Sequence, residues 1–122
     1  MNKLVMLAAV AFLVSCGTSK QTVEKVDETK TPVIEGMSQA DVDRGSKEFP
    51  GLTLDELVEG KKLYENNCNL CHALKKPTAE PAAEWRKVVP PMVDMVNKEK
   101  NGNLDAAAQE KILRYLVTMS SK

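Results

Sequence analysis

Cys68-Asn69-Leu70-Cys71-His72 is the run of this chain whose residue types and spacing can do chemistry. Two thiols separated by two residues and followed at once by an imidazole form the attachment motif of c-type haem. Each thiol can form a thioether to one of a porphyrin's two vinyl groups, and the two-residue gap lets both sulfurs reach the same edge of the ring. The adjacent imidazole then ligates iron from beneath, which leaves the other axial position as the open question. Two blander readings compete. A thioredoxin-like dithiol wants a preceding strand and a βαβ context, and neither pattern is visible. Half of a structural zinc site wants more ligands, and beyond this run the chain offers no other His and one other Cys, at position 16.

The amino terminus reads as an export signal. Met1-Asn2-Lys3 is a short basic start, and the apolar run from Leu4 to Val14 is too short to span a bilayer of ~30 Å but suits a signal-peptide core. The run ends in Leu13-Val14-Ser15-Cys16-Gly17, which resembles the lipobox of bacterial lipoproteins. That resemblance implies cleavage before Cys16 and lipid on its sulfur and new amino group; the plainer alternative is a secretory signal with a stray cysteine. The chain has 3 Cys, and an odd number in an exported protein demands an explanation. Giving Cys16 to lipid and Cys68 and Cys71 to haem leaves none over.

These signals divide the chain into a lipoprotein signal peptide at 1–15, a lipidated flexible tether at 16–50 and a folded domain at 51–122. The stretch from Ser19 to Lys30 is polar, mixed in charge and free of aromatics, so it cannot bury enough apolar surface to offset chain entropy. Val33, Ile34 and Met37 show no sustained period. About 34 flexible residues have a root-mean-square reach of roughly 30 Å, enough to turn a domain toward several partners or simply to clear a membrane surface. The folded part is small for a purely proteinaceous core, and a covalent haem would supply apolar interior.

The elements that must position the motif are helices. Thr53-Leu54-Asp55-Glu56 reads as a capping box, and Leu54, Leu57, Val58 and Tyr64 fall on one face of a first helix that runs into Cys68. A last helix beginning near Asn103 or Asp105 carries Leu104, Ala108, Ile112, Tyr115, Leu116 and Met119 at spacings of three and four. Between them, Pro81 suits the first turn of a short helix bearing Trp85, Val88 and Val89. Pro90-Pro91 is expected to interrupt it. No segment alternates with period two, so the fold class is all-α.

With these residues in hand, the chain resembles a class I monohaem cytochrome c. The likeness rests on Gly60-Lys61-Lys62-Leu63-Tyr64-Glu65-Asn66-Asn67-Cys68 before Cys71-His72, and on Ile112-Leu113-Arg114-Tyr115-Leu116 near the end. It is closest to the small lipoprotein or dihaem-type subgroup, in which a Trp-x-x-Val-x-x-x-Met segment follows the haem motif, and it covers about residues 54 to 119. The resemblance implies a small helical domain wrapped around one haem c. Gly60 and Tyr115 would sit where the first and last helices cross, and Trp85 would pack near the haem or its propionates. It also implies a proline carbonyl accepting from His72, with Pro77 and Pro81 both available.

Counting narrows the sixth ligand. The single His is spent at position 72, which leaves a methionine thioether, a lysine or an open site. Of the 6 Met, Met1 and Met6 leave with the signal peptide, Met37 falls in the tether and Met119 lies on the apolar face of the last helix. Met92 and Met95 remain. Met92 stands seven residues after Trp85, on the same side of a helix, and the family pattern places its methionine there; Met95 is the runner-up.

Lys+Arg 17 balance Asp+Glu 17, so no global field steers association or points to nucleic acid. Lys61, Lys62, Lys75 and Lys76 bracket the motif, either as a ring for an acidic redox partner or as ordinary solvated surface. The functional expectation is a non-enzymatic electron carrier with a His72/Met92 haem, anchored by Cys16 in a bacterial cell envelope and facing the periplasm or cell surface. Its partners would be redox proteins rather than small-molecule substrates. The alternatives are a haem sensor with a displaceable distal ligand and an accessory subunit of a larger oxidoreductase. A peroxidase-like site wants a distal acid–base residue, usually His, and none is left.

Overall fold

The computed structural model describes residues 33–122; the expected signal peptide, Cys16 and the tether up to residue 32 lie outside the described residues. A two-stranded antiparallel hairpin, β1 (Val33–Ile34) and β2 (Met37–Ser38), comes first. Four helices follow: α1 (Gln39–Gly45), α2 (Leu54–Cys68), α3 (Ala82–Glu99) and α4 (Ala106–Ser120), with a 3-10 turn at Pro77–Ala79 before α3. Among the described residues the architecture is helical apart from that hairpin, as the periodicities require.

Local chemistry sets the helix ends. Thr53 starts α2 as the capping box it spells: its Oγ1 accepts the Glu56 N–H at 3.2 Å while the Glu56 carboxylate accepts the Thr53 N–H at 3.2 Å. Asp105 caps α4 by accepting the Ala108 N–H at 2.8 Å. The buried stripes are the expected ones, with Leu57 and Tyr64 on α2 and Ile112, Tyr115, Leu116 and Met119 on α4. Met119 is therefore core. Helices α2 and α4 cross at Gly60, where an added Cβ would lie 2.2 Å from the Lys111 carbonyl oxygen and 2.9 Å from the Tyr115 Cβ. Only a residue without a Cβ lets the two backbones come this close.

Pro90 and Pro91 do not interrupt α3, which runs unbroken through both. Each proline removes one N–H to the carbonyl four residues earlier. Those carbonyls belong to Arg86 and Lys87, both exposed, so water can take the place of the missing donors. The opposite face carries Trp85, Val89, Val93 and Val96, all buried, and burying that stripe outweighs the local loss.

The folded unit also begins well before Gly51, which corrects the expected tether boundary. Met37, Val42, Phe49 and Leu52 are all buried in the common core. The Glu35-Gly36 turn has both residues at positive φ, 52° and 81°, the backbone that a two-residue hairpin needs. Ser38 then precedes α1 with its N–H donated to the Asp41 carboxylate at 2.9 Å. Asp41 is itself buried, and it pairs with Arg44 at 2.7 Å and Lys122 at 3.4 Å. Burial pushes its carboxyl up, but Arg44, Ser38 and Lys122 together hold it below the usual value. Phe49 lies between the guanidinium groups of Arg86 and Arg114, at 5.3 and 5.5 Å from its ring centre. The segment was hard to see in sequence because its apolar residues are spread over a hairpin, one short helix and a loop, with no single period.

Candidate functional site

The last turn of α2 delivers Cys68, and the chain beyond the helix end carries Cys71 and His72. Cys68 is buried, Cys71 is exposed and both thiols are free. Burial, and then the neighbouring Cys71, push the Cys68 thiol up to about 11. Its place at a helix C-terminus, the negative end of the helix dipole, works in the same direction. A redox dithiol needs the reverse, an attacking thiol whose pKa is lowered, commonly at a helix N-terminus. The dithiol reading is thus disfavoured by the local electrostatics. Among the described residues no group of three or more His, Cys, Asp or Glu side chains is placed to hold a metal ion.

The His72 Nδ1 lies 2.8 Å from the carbonyl oxygen of Ala73. A carbonyl only accepts, so this bond requires the proton on Nδ1 and leaves the lone pair of a neutral ring on Nε2. Nε2 is then the nitrogen available to a metal. Neither expected proline is the partner of His72 in this structure. The Pro81 carbonyl starts α3 by accepting from the Glu84 and Trp85 N–H groups at 2.9 and 3.2 Å, which fills both its lone pairs. The Pro77 carbonyl accepts the Trp85 indole N–H at 2.8 Å and keeps one lone pair.

Two neighbouring concavities share His72 and Met92 as lining residues. The larger, about 180 Å³, is bounded by Tyr64, His72, Lys75, Glu80, Glu84, Trp85, Val88 and Met92. The smaller, about 40 Å³, is bounded by Cys68, Cys71, His72, Met92, Met95 and Val96. The continuity of α3 makes this possible: Trp85, Val88, Met92 and Val96 follow one another at spacings of three and four on a single face. Met92 is half-buried and borders both spaces, whereas Met95 is 47% exposed and borders only the smaller. Together, two thiols, an imidazole with its Nε2 lone pair and a thioether form the donor set of a covalently held haem, so the residues present fit that group.

The surrounding shell includes residues that the sequence marked only as core or surface. Tyr64 donates its hydroxyl to the Lys75 carbonyl at 2.9 Å and packs edge-on to Trp85, with ring centres 6.2 Å apart. With the Trp85–Pro77 bond, this ties the chain after His72 to both α2 and α3. The signal for Tyr64 was its place one helical turn before Cys68, and for Val88 one turn before Met92. Lys75, Glu80 and Glu84 line the larger space from loops and helix starts, where no periodicity marks them.

The lysines around the motif are largely neutralised. Lys61 and Lys62 both pair with Glu35, at 3.4 and 3.7 Å, and Lys75 pairs with Glu80 at 2.5 Å. A basic ring gains no support from this arrangement, in which three of its four members already have carboxylate partners.

Comparison with known proteins found no match to any family model, curated protein or solved structure.

Proposed function

We propose that this chain is a membrane-anchored c-type cytochrome that carries single electrons between redox partner proteins. The observation that carries the proposal is the Cys68-x-x-Cys71-His72 run opening onto concavities that His72 and Met92 line together. When bound, haem supplies an iron that changes by one electron between its ferrous and ferric states. Cys68 and Cys71 fix it by thioether bonds, so it cannot dissociate between partners. Nε2 of His72 would hold the iron, with its ring oriented by the Ala73 carbonyl. Met92 would add its thioether, a ligand that raises the potential relative to bis-histidine ligation. Trp85, Val88 and Val96 keep the lining apolar and limit water access, which tunes the potential in the same direction.

Covalent attachment is the first test. Expressed in a periplasm with cytochrome maturation machinery, the chain should retain its colour and peroxidase stain through a denaturing gel. Haem that washes out under denaturation would refute the two thioether bonds, and with them the proposal.

The anchor is proposed from Cys16. One acyl chain binds a membrane only marginally, whereas two or more hold stably. Cys16→Ser should therefore move most of the protein from the membrane to the soluble fraction after cell breakage. A variant that pellets as firmly as the native chain would show that something else holds it there.

A further inference from the structure

The two thiols of the motif are chemically alike but structurally unequal. Cys68 occupies the last residue of α2, is 8% exposed and belongs to the same core cluster as Leu57 and Tyr64. Its surroundings are tied down: the Asn67 side-chain amide donates to the Leu63 carbonyl at 2.8 Å, and the Tyr64 hydroxyl donates to the Lys75 carbonyl at 2.9 Å. Cys71 lies three residues further on, past the helix end, and is exposed. An incoming porphyrin vinyl group meets Cys71 at the surface, whereas Cys68 is reached only along the apolar edge that both residues share.

Resting on the reading above, we infer that the two thioether bonds form in a fixed order, at the exposed Cys71 first and at the buried Cys68 second, once porphyrin held by Cys71 lies against the apolar surface that Cys68 borders. Each step is a redox-neutral addition. The thiol S–H adds across a vinyl C=C, the sulfur bonds to the carbon next to the ring, the proton goes to the terminal carbon, and no oxidant or leaving group is involved. The order follows from access. The first addition can proceed at an exposed side chain, whereas the second needs the vinyl group brought to a buried thiol along an apolar edge. Reactivity reinforces access, because the thiolate is the reactive form and burial pushes the Cys68 thiol up to about 11.

The full chain carrying Cys16→Ser, so that these two thiols are the only ones, can be prepared without haem and treated with N-ethylmaleimide. The modified peptides are then mapped by mass spectrometry against time. Cys71 should label at least about tenfold faster than Cys68, in line with the difference in access. In parallel, the same protein is mixed with ferrous protohaem under dithionite, sampled, quenched with alkylating reagent and mapped. The expected intermediate has haem on Cys71 and alkyl on Cys68. Cys68→Ala should then accumulate a single-thioether product, and Cys71→Ala should yield at least about tenfold less in the same time. Intermediates with haem on Cys68 alone, equal labelling of the two thiols, or equal yields from the two variants would overturn the order while leaving the proposed function intact. Absence of covalent haem on either cysteine, in this assay and with the maturation machinery alike, would instead remove the proposed function and the order with it.

Discussion

Met92→Ala is expected to abolish the weak methionine–iron absorption near the red end of the oxidised spectrum, lower the midpoint potential and let the reduced protein bind CO. Loss of the thioether opens the axial position opposite His72 to water or a small ligand. The fall in potential should be a sizeable part of the roughly 0.8 V that axial ligation spans among haem proteins. Met92 is singled out because it is half-buried and borders both concavities that His72 borders. Met95→Ala provides the contrast. At 47% exposed, Met95 should behave as a surface position, with a change in stability within about 0.5 kcal/mol and an unaltered spectrum. If Met95→Ala removes the band and Met92→Ala does not, the ligand assignment is reversed. Native protein that already binds CO readily would argue for a gas-binding haem protein with an open distal side.

Gly60→Val should cost enough stability to prevent folding, and Gly60→Ala should cost less but still measurably. The obstacle at Gly60 is the backbone of α4, since a Cβ would sit 2.2 Å from the Lys111 carbonyl oxygen and 2.9 Å from the same residue's carbonyl carbon. A side chain could swing aside; a helix backbone moves only with its neighbours. Overpacking of this kind costs roughly 1–3 kcal/mol and sometimes more. For Gly60→Ala, the gain in helix propensity of about 1 kcal/mol offsets part of that, leaving an expected net loss of up to about 2 kcal/mol. That is a factor of roughly 30 in the folded-to-unfolded ratio. Urea unfolding followed by circular dichroism reads both variants directly. Native-like stability of Gly60→Val would mean that α2 and α4 do not cross as closely as described.

Gly60 also shows how far a sequence can carry an argument about packing. Its pairing with Tyr115 was expected from a resemblance, and the structure supplies the physical cause, a contact between two helix backbones. Helix α2 was fully legible because Thr53 and Glu56 form a reciprocal cap and the apolar residues after them keep one period. Helix α4 was legible for the same reason, with its start fixed by Asp105. Prolines 90 and 91 misled, because proline's cost in a helix is local and readable while the compensation is not. The burial of Trp85, Val89, Val93 and Val96 against the rest of the core exists only once the chain has folded.

The segment before Gly51 makes the same point from the other side. Ser38-Gln39-Ala40-Asp41 is a cap signature present in the sequence, yet seven helical residues cannot persist alone. Their order comes from contacts with residues far along the chain. Arg44 donates to the Thr118 carbonyl at 3.2 Å, Lys122 reaches Asp41 and the Gly36 carbonyl, and Phe49 sits between arginines of α3 and α4.

By itself the sequence determined which chemistry is within reach, because two thiols and an imidazole at this spacing define a short-range geometry that no distant residue needs to complete. It also determined the helical class and the core faces of α2 and α4, which depend on periodicity along the chain. Only the tertiary structure decided that Met92 borders the same spaces as His72, that Cys68 is buried while Cys71 is not, that Pro77 and Pro81 give their carbonyls to Trp85 and the start of α3, and that Met37, Val42 and Phe49 are core. Each of these depends on separate elements meeting in space, where burial and partner choice are set by packing rather than by neighbours in the chain.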